Sequence, residues 1–432
     1  MTVIRALFLG NLCNWPFRTT NALVATKQQP LSLKGDSAIQ MIRMAGFFLL
    51  SHLFFLFDSS QPTAKTLRMT LLSPEFAFAL LIFLLLYWAC ARSITGQNYL
   101  LLCAAYAFAG QADWRIPIIM LAFAALVWTL GKYLLHQKHD SHKKIAFLPL
   151  FISIIFTILP LLLFKYYDFA REVSLALLQH LSLPLAIPAL PLLLPIGISF
   201  YTLTAVTYLL SVHRKELKPA SLPDVMLLLA FFPVLTAGPI CRANSLLPQI
   251  QARRVAGDVN WILVLLVLAL LKKWCLATYL GDSWVDPIFS DPESYHPLEL
   301  LGGLYAYTLQ IYFDFSGYSD LAMAIALMLG FQVPRNFSSP YIAKNIKEFW
   351  HRWHISLSTW IRDYIYIPLG GSRNGWWHTQ FYLLIAMVLS GLWHGAAEHY
   401  FWWGALHALG LSLCNIWQGI SQRLGLNPFR RL

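Results

Sequence analysis

The chain has 432 residues, 58% of them hydrophobic and only 12% charged, with 16 Trp, 19 Tyr and 29 Phe. With a mean hydropathy of +0.57, this composition excludes an ordinary soluble globular domain and indicates an all-α polytopic membrane protein. The net charge of +12 comes from Lys and Arg in short clusters between apolar runs, a pattern that orients a membrane protein and lacks the continuous basic stripe of a nucleic-acid binder.

Residues 1–68 have mixed character. Their one apolar run, Ala45–Phe57, is short for a span and interrupted by His52, and no small-residue cleavage pattern follows it as a signal peptide would require. Two readings stand: an interfacial helix, or an extension upstream of a true start at Met69. Nine apolar runs then read as membrane spans: Phe76–Ala91, Tyr99–Gly110, Ile116–Leu135, Ile145–Phe164, Leu190–Val212, Val259–Cys275, Leu298–Phe315, Gln380–Trp393 and Tyr400–Gln418. Residues 69–432 thus form one membrane domain.

Orientation follows from the basic clusters, which favour the cytoplasmic side. His136–Lys144, His213–Lys218, the 335–373 segment and Arg430–Arg431 all fall inside if Met69 starts outside and Leu432 ends inside. Met226–Arg242 is apolar but basic on both flanks, so it reads as a re-entrant hairpin broken by Pro233, Gly238 and Pro239. Non-helical backbone at that depth is tolerated only where protein covers it or a cavity receives it, so a cavity is expected.

Two polar islands interrupt the apolar background. "WHRWHISLSTWIRDYIY", Trp350–Tyr366, gathers two His, two Arg, one Asp and three Trp in seventeen residues. Within Glu348–Arg373, helical spacing would stack Trp350, Trp353 and His354 on one face with His351 beside His354, until Pro368 and Gly370–Gly371 end the helix. Taken alone, this reads as an interfacial amphipathic helix. "LSGLWHGA", Leu389–Ala396, places His394 in an apolar run between Gly391 and Gly395. An ionisable group there is a functional candidate, against the alternative of a core histidine bonded to a carbonyl.

A neutral imidazole can accept a proton, which is what a general base needs to activate a hydroxyl. One such base in a membrane cavity could run direct acyl transfer from a thioester to an alcohol. The chain has no GxSxG, and its six cysteines are scattered without a CxxC, so neither a covalent nucleophile, a disulfide framework nor a zinc site is indicated.

At these residues the sequence resembles the membrane-bound O-acyltransferase (MBOAT) family, in particular its bacterial branch of alginate O-acetyltransferase-like proteins, with the D-alanyl teichoic acid transferases more distant. The motifs that carry the resemblance are "LLSPEFAFALLIFLLLYW", "PIGISFYTLTAVTYLLSVHRKELKPA", "FFPVLTAGPICR", "YFDFSGYSDLAMAIALMLGF", the 336–373 segment and "LSGLWHGA". The resemblance implies a ring of about nine or more membrane helices with re-entrant segments around a central tunnel. It puts His394 at the family's catalytic histidine and His354 at the second histidine, near the cytoplasmic side of the tunnel. It implies an acetyl-CoA or other acyl-thioester donor, no bound cofactor and no metal. It further implies a periplasmic or extracellular acetyltransferase partner, a polysaccharide or peptidoglycan acceptor, and a multi-pass location in a bacterial inner membrane among its lipids. Arg362, Asp363 and Tyr364 would contact donor phosphates or form a cytoplasmic ion-pair cluster. Asp314 and Asp320 would orient a histidine or pair with Arg352 or Arg362, and Trp393 would pack on the tunnel wall. Relatives start near "SPEF" and carry further helices after the catalytic histidine, so 1–68 reads as an added extension and the C-terminal end as short.

Two rival functions compete with this reading. A membrane metalloenzyme would need His351, His354, His394, His399 and His407 to gather a metal, but HxxxH and HxxHH spacings are missing. A transporter or flippase subunit for a polysaccharide or lipid carrier would suit the broken helices, but no internal repeat is visible.

Overall fold

Helix starts are written locally. Ser73 Oγ accepts from Phe76 N at 3.2 Å, Pro74 fills the first position, where no N–H is needed, and Glu75 faces the positive end of α1 (Pro74–Ala89). Ser93 caps α2 (Ile94–Gly110) the same way, through Gly96 N at 3.0 Å. The computed structural model describes residues 71, 73–136 and 148–425. The apolar run 45–57 and the rest of 1–68, the basic cluster after His136, and Arg430–Arg431 lie outside the described residues.

The chain continues through α3 (Arg115–His136), α4 (Leu148–His180), α5 (Ile198–His213), α6 (Leu222–Leu229), α7 (Ala243–Ile250) and α8 (Val259–Ser290), then α9 (Pro297–Met328), α10 (Ile346–Arg352), α11 (Ile355–Ile361), α12 (Trp376–His394) and α13 (Glu398–Arg423). Among the described residues there is no strand. By length and composition α3, α4 and α8 are long and apolar enough to cross a bilayer, while α1, α5 and Leu222–Val234 are shorter apolar helices. Only 22% of the most apolar window of α4 and of α8 is buried, and 33% in α3. Helices this apolar and this exposed present their side chains to hydrocarbon.

Over its described residues each of the nine expected runs falls on a helix, but several bounds differ. The run starting at Leu190 becomes helical only at Ile198, because Pro184, Pro188, Pro191 and Pro195 remove donors and keep the preceding chain extended. Gly197 makes the turn into α5 at φ 74°, packed so closely on Leu235 that a Cβ would overlap its carbonyl. α4 runs on to His180, well past Phe164, and α8 passes Cys275 to Ser290 through two π-helical stretches, Leu271–Ala277 and Gly281–Val285.

The segment read as re-entrant is broken, as its Pro and Gly content predicts: α6 stops at Leu229, a 3-10 turn covers Phe232–Val234, and non-helical chain follows to Arg242. It lies buried, and side chains from other helices satisfy its backbone. Thr204 Oγ1 donates to Cys241 O at 3.1 Å, Ala243 N donates to Thr207 Oγ1 at 2.9 Å, and Ile240 N donates to Ser356 Oγ at 2.9 Å.

The two C-terminal helices pack backbone to backbone. A Cβ on Gly391 of α12 would overlap Tyr400 O, and one on Gly404 of α13 would overlap Met387 O. Small residues at such a crossing let two membrane helices approach without a hydrophobic driving force. Tyr87 Oη donates to Leu329 O at 2.8 Å and Trp88 Nε1 to Met328 O at 3.1 Å, tying the end of α1 to the end of α9.

Candidate active site

His394 is the last residue of α12. The next residue, Gly395, is extended (φ −157°, ψ 161°), so the chain leaves without the left-handed turn that commonly closes a helix. A Cβ at Gly395 would overlap the Tyr400 ring, which explains why glycine follows the histidine. The final carbonyls of α12 are met from α4: Tyr166 Oη donates to Leu392 O, and Lys165 Nζ donates to Trp393 O and, at 3.2 Å, to His394 O.

His354 is delivered by a different device, and here the sequence expectation is corrected. Glu348–Arg373 is not one helix. α10 ends at Arg352, His354 adopts φ 41°, ψ 53° in the left-handed region, and α11 starts at Ile355. Trp350, Trp353 and His354 therefore do not share a helix face, and His351 is exposed while His354 is only 2% exposed. Buried Asn336 makes the break affordable. Its carbonyl accepts from Ile355 N at 2.9 Å, and its Oδ1 accepts from Ser356 Oγ at 2.6 Å and Ser356 N at 3.4 Å. Beyond α11 a π-helical turn, Arg362–Tyr366, leads to Leu369, and Gly370 (φ 133°) ends the helical path as the Gly pair predicted.

The two histidines face one cavity of about 710 Å³. Their ring centroids are 6.2 Å apart. Aromatic rings pack edge-on around them, with Phe315 4.8 Å from His354 and Trp403 5.5 Å from His394. Trp393 lies on the wall, 6.0 Å from His354 and 5.3 Å from Phe200. The buried Nε2 of His354 and the buried indole Nε1 of Trp350 have no hydrogen-bond partner in the protein. Such groups lining a cavity favour a polar ligand.

The remaining predicted residues lie off this cavity lining. Asp314 and Asp320 pair with neither Arg352 nor Arg362. They meet adjacent lysines of the first π-helical stretch of α8: Lys273 pairs with Asp314, and Lys272 with Asp320 at 2.6 Å. Gly317 allows this by letting α8 approach to contact distance. Arg352 instead pairs with Glu348 one turn earlier, at 2.7 Å. Arg362 and Arg242 both bind Asp363, at 2.7 and 2.6 Å, and Arg242 also lies 5.4 Å over the Tyr364 ring. Burial opposes ionisation of Asp363, but hydrogen bonds from the two guanidinium groups outweigh it and hold its carboxyl below the usual carboxylate range. Of these residues only Trp393 joins the histidines on the wall. Among the described residues no three His, Cys or carboxylate side chains converge as a metal set would.

The wall includes residues that sequence reasoning missed as parts of this site: Lys165, Lys273, Trp403 and His407. His407 is fully buried, its ring 5.1 Å from Trp350 and 4.6 Å from Trp403. Its place one turn after Trp403 on an apolar helix was the available signal. Lys165 gave none, since a lysine ending an apolar run reads as an interfacial anchor.

Comparison with known proteins adds identity to this geometry. The chain is 36% identical to a probable alginate O-acetylase AlgI of Pseudomonas syringae over 80% of its length, and 37% identical to that of Pseudomonas putida over 81%. It is 30% identical to a peptidoglycan O-acetyltransferase of Helicobacter pylori over 70% of its length. The matches cover 64%, 70% and 62% of those relatives, so the chain spans roughly two thirds of their length. The model of the membrane-bound O-acyltransferase family matches residues 36–432. With a helical membrane architecture and this match over most of its length, the chain belongs to the membrane-bound O-acyltransferase family.

Proposed function

We propose that the protein is an O-acyltransferase that passes an acetyl group from a cytoplasmic thioester, acetyl-CoA or another acyl carrier, to an extracytoplasmic polysaccharide or peptidoglycan acceptor. The observation that carries this reading is the convergence of His354 and His394, 40 positions apart in sequence, on one aromatic cavity. The names of the relatives, alginate O-acetylase and peptidoglycan O-acetyltransferase, support the chemistry and acceptor class. His394 acts as general base, taking the acceptor's hydroxyl proton as its oxygen attacks the thioester carbonyl. Collapse of the adduct breaks the C–S bond, and the imidazolium returns the proton to the departing thiolate. His354 orients the donor, and the Arg242–Asp363–Arg362 cluster with Tyr364 receives its phosphates. Asp314 and Asp320 hold α8 against α9. A periplasmic partner completes delivery from a bacterial inner membrane.

His394→Ala tests the assignment. Label from [14C]acetyl thioester should no longer reach the polymer fraction, a loss of at least about 100-fold expected of a general base, while membrane level stays normal. Wild-type transfer by that variant would sink the reading. A transporter would instead keep moving its cargo without His394.

A further inference from the structure

Four consecutive residues at the end of α12, Gly391–His394, have no later helical turn to bond to. In a membrane interior each unsatisfied carbonyl is costly. The Gly395 exit offers no closing turn, and α13 follows after only three residues. For three of them, Leu392, Trp393 and His394, a donor comes instead from two neighbouring residues of α4, more than two hundred positions earlier. Lys165 Nζ also donates to Ser199 Oγ at 3.3 Å, and Trp393 Nε1 closes the group onto Ser199 O at 3.4 Å. Three helices, α4, α5 and α12, are thus pinned together at the end of α12 that carries His394. A donor to that residue's own carbonyl sets where its Cα, and so its imidazole, stands in the cavity.

We infer that Lys165, backed by Tyr166, is a positioning residue for His394: it fixes the imidazole through the backbone of α12 and takes no proton in the reaction. The inference rests on the general-base reading of His394. Its donors reach Trp393 O, His394 O and Ser199 Oγ, so Lys165 serves the helix end, although its side chain also lines the cavity. Displacement of a reacting group by about 1 Å can cost on the order of 100-fold in rate.

The test uses the full chain in inside-out membrane vesicles, with [14C]acetyl-CoA varied and label counted in the polymer fraction. Lys165→Met keeps the side-chain length and removes the donors. Turnover should fall about 100-fold while KM for acetyl-CoA moves less than about threefold, since positioning acts on the chemical step. Lys165→Arg restores donors and should recover at least about tenfold of that loss. Tyr166→Phe loses one donor and should cost about tenfold in turnover with KM unmoved. It also serves if Lys165→Met does not accumulate. Wild-type turnover in Lys165→Met or Tyr166→Phe overturns the inference, as does a loss carried by KM, or an Arg variant no better than Met at equal protein level. His394→Ala runs alongside. If it is inactive while Lys165→Met is normal, only the positioning role fails. If it is active, the base assignment itself fails.

Discussion

His354 holds a backbone conformation that residues other than glycine rarely adopt, at a cost of about 1–3 kcal/mol, and the side chain of Asn336 is what offsets it. Asn336 is 1% exposed, accepts from Ser356, and donates through Nδ2 to Ser319 Oγ at 3.3 Å. Asn336→Ala leaves Ser356 short of its acceptor and should destabilise the protein by about 1–3 kcal/mol. A lowered thermal midpoint in detergent, together with reduced acetyl transfer, checks this. An unchanged midpoint would mean the left-handed turn stands without Asn336. The sequence identified His354 by its surroundings but not its geometry. A helix read through "WHRWH" follows from 3.6-residue periodicity, and the groups that satisfy the break, Asn336 and Ser338 in the unremarkable "NFSSPY" and Ser358 beyond it, do not show in that periodicity. His394 was the more legible residue, because Gly391 and Gly395 flank it and each answers a contact that the structure contains.

Among elements, the α12–α13 pair is set by glycines that admit one backbone to another. Gly404→Val puts a branched side chain against Met387 O and Val388 Cα, and overpacking of this kind costs about 1–3 kcal/mol. The expected result is a smaller monodisperse fraction after detergent extraction, whereas Gly419→Val, with nothing within 4 Å of its Cβ, should extract like wild type. Each hydrophobic run marked a helix, in the right order but not of the right length, since apolarity reports contact with lipid and says nothing of where hydrogen bonding continues. α4 extends to His180 through "KYYDFAREVSLALLQH", which is too polar to read as a span. Pro184, Pro188, Pro191 and Pro195 interrupt no apolar run, so hydropathy reads through them. The Lys272 and Lys273 pairings with α9 were not legible, because a sequence lists carboxylates and lysines without saying which helices touch.

For the whole molecule, the exposed leucines and phenylalanines of α1, α3, α4 and α8 form the surface a bilayer would cover. Leu159, midway along the apolar part of α4, is 52% exposed. A Lys there would be nearly neutral on a water-facing surface, but at a lipid-facing site it should cost about 2.5–3.5 kcal/mol of insertion. Leu159→Lys is therefore expected to reduce the membrane-integrated fraction on carbonate extraction, and full integration would mean the surface faces something other than lipid. Inside that surface the 710 Å³ cavity has room for on the order of twenty water molecules at bulk density. If His394 is the base proposed above, a base poised beside so much volume would activate water as well as a sugar hydroxyl. Selectivity for transfer over hydrolysis must then come from how the acceptor is held against the carbonyl, and an idle enzyme without acceptor would spend its thioester on solvent.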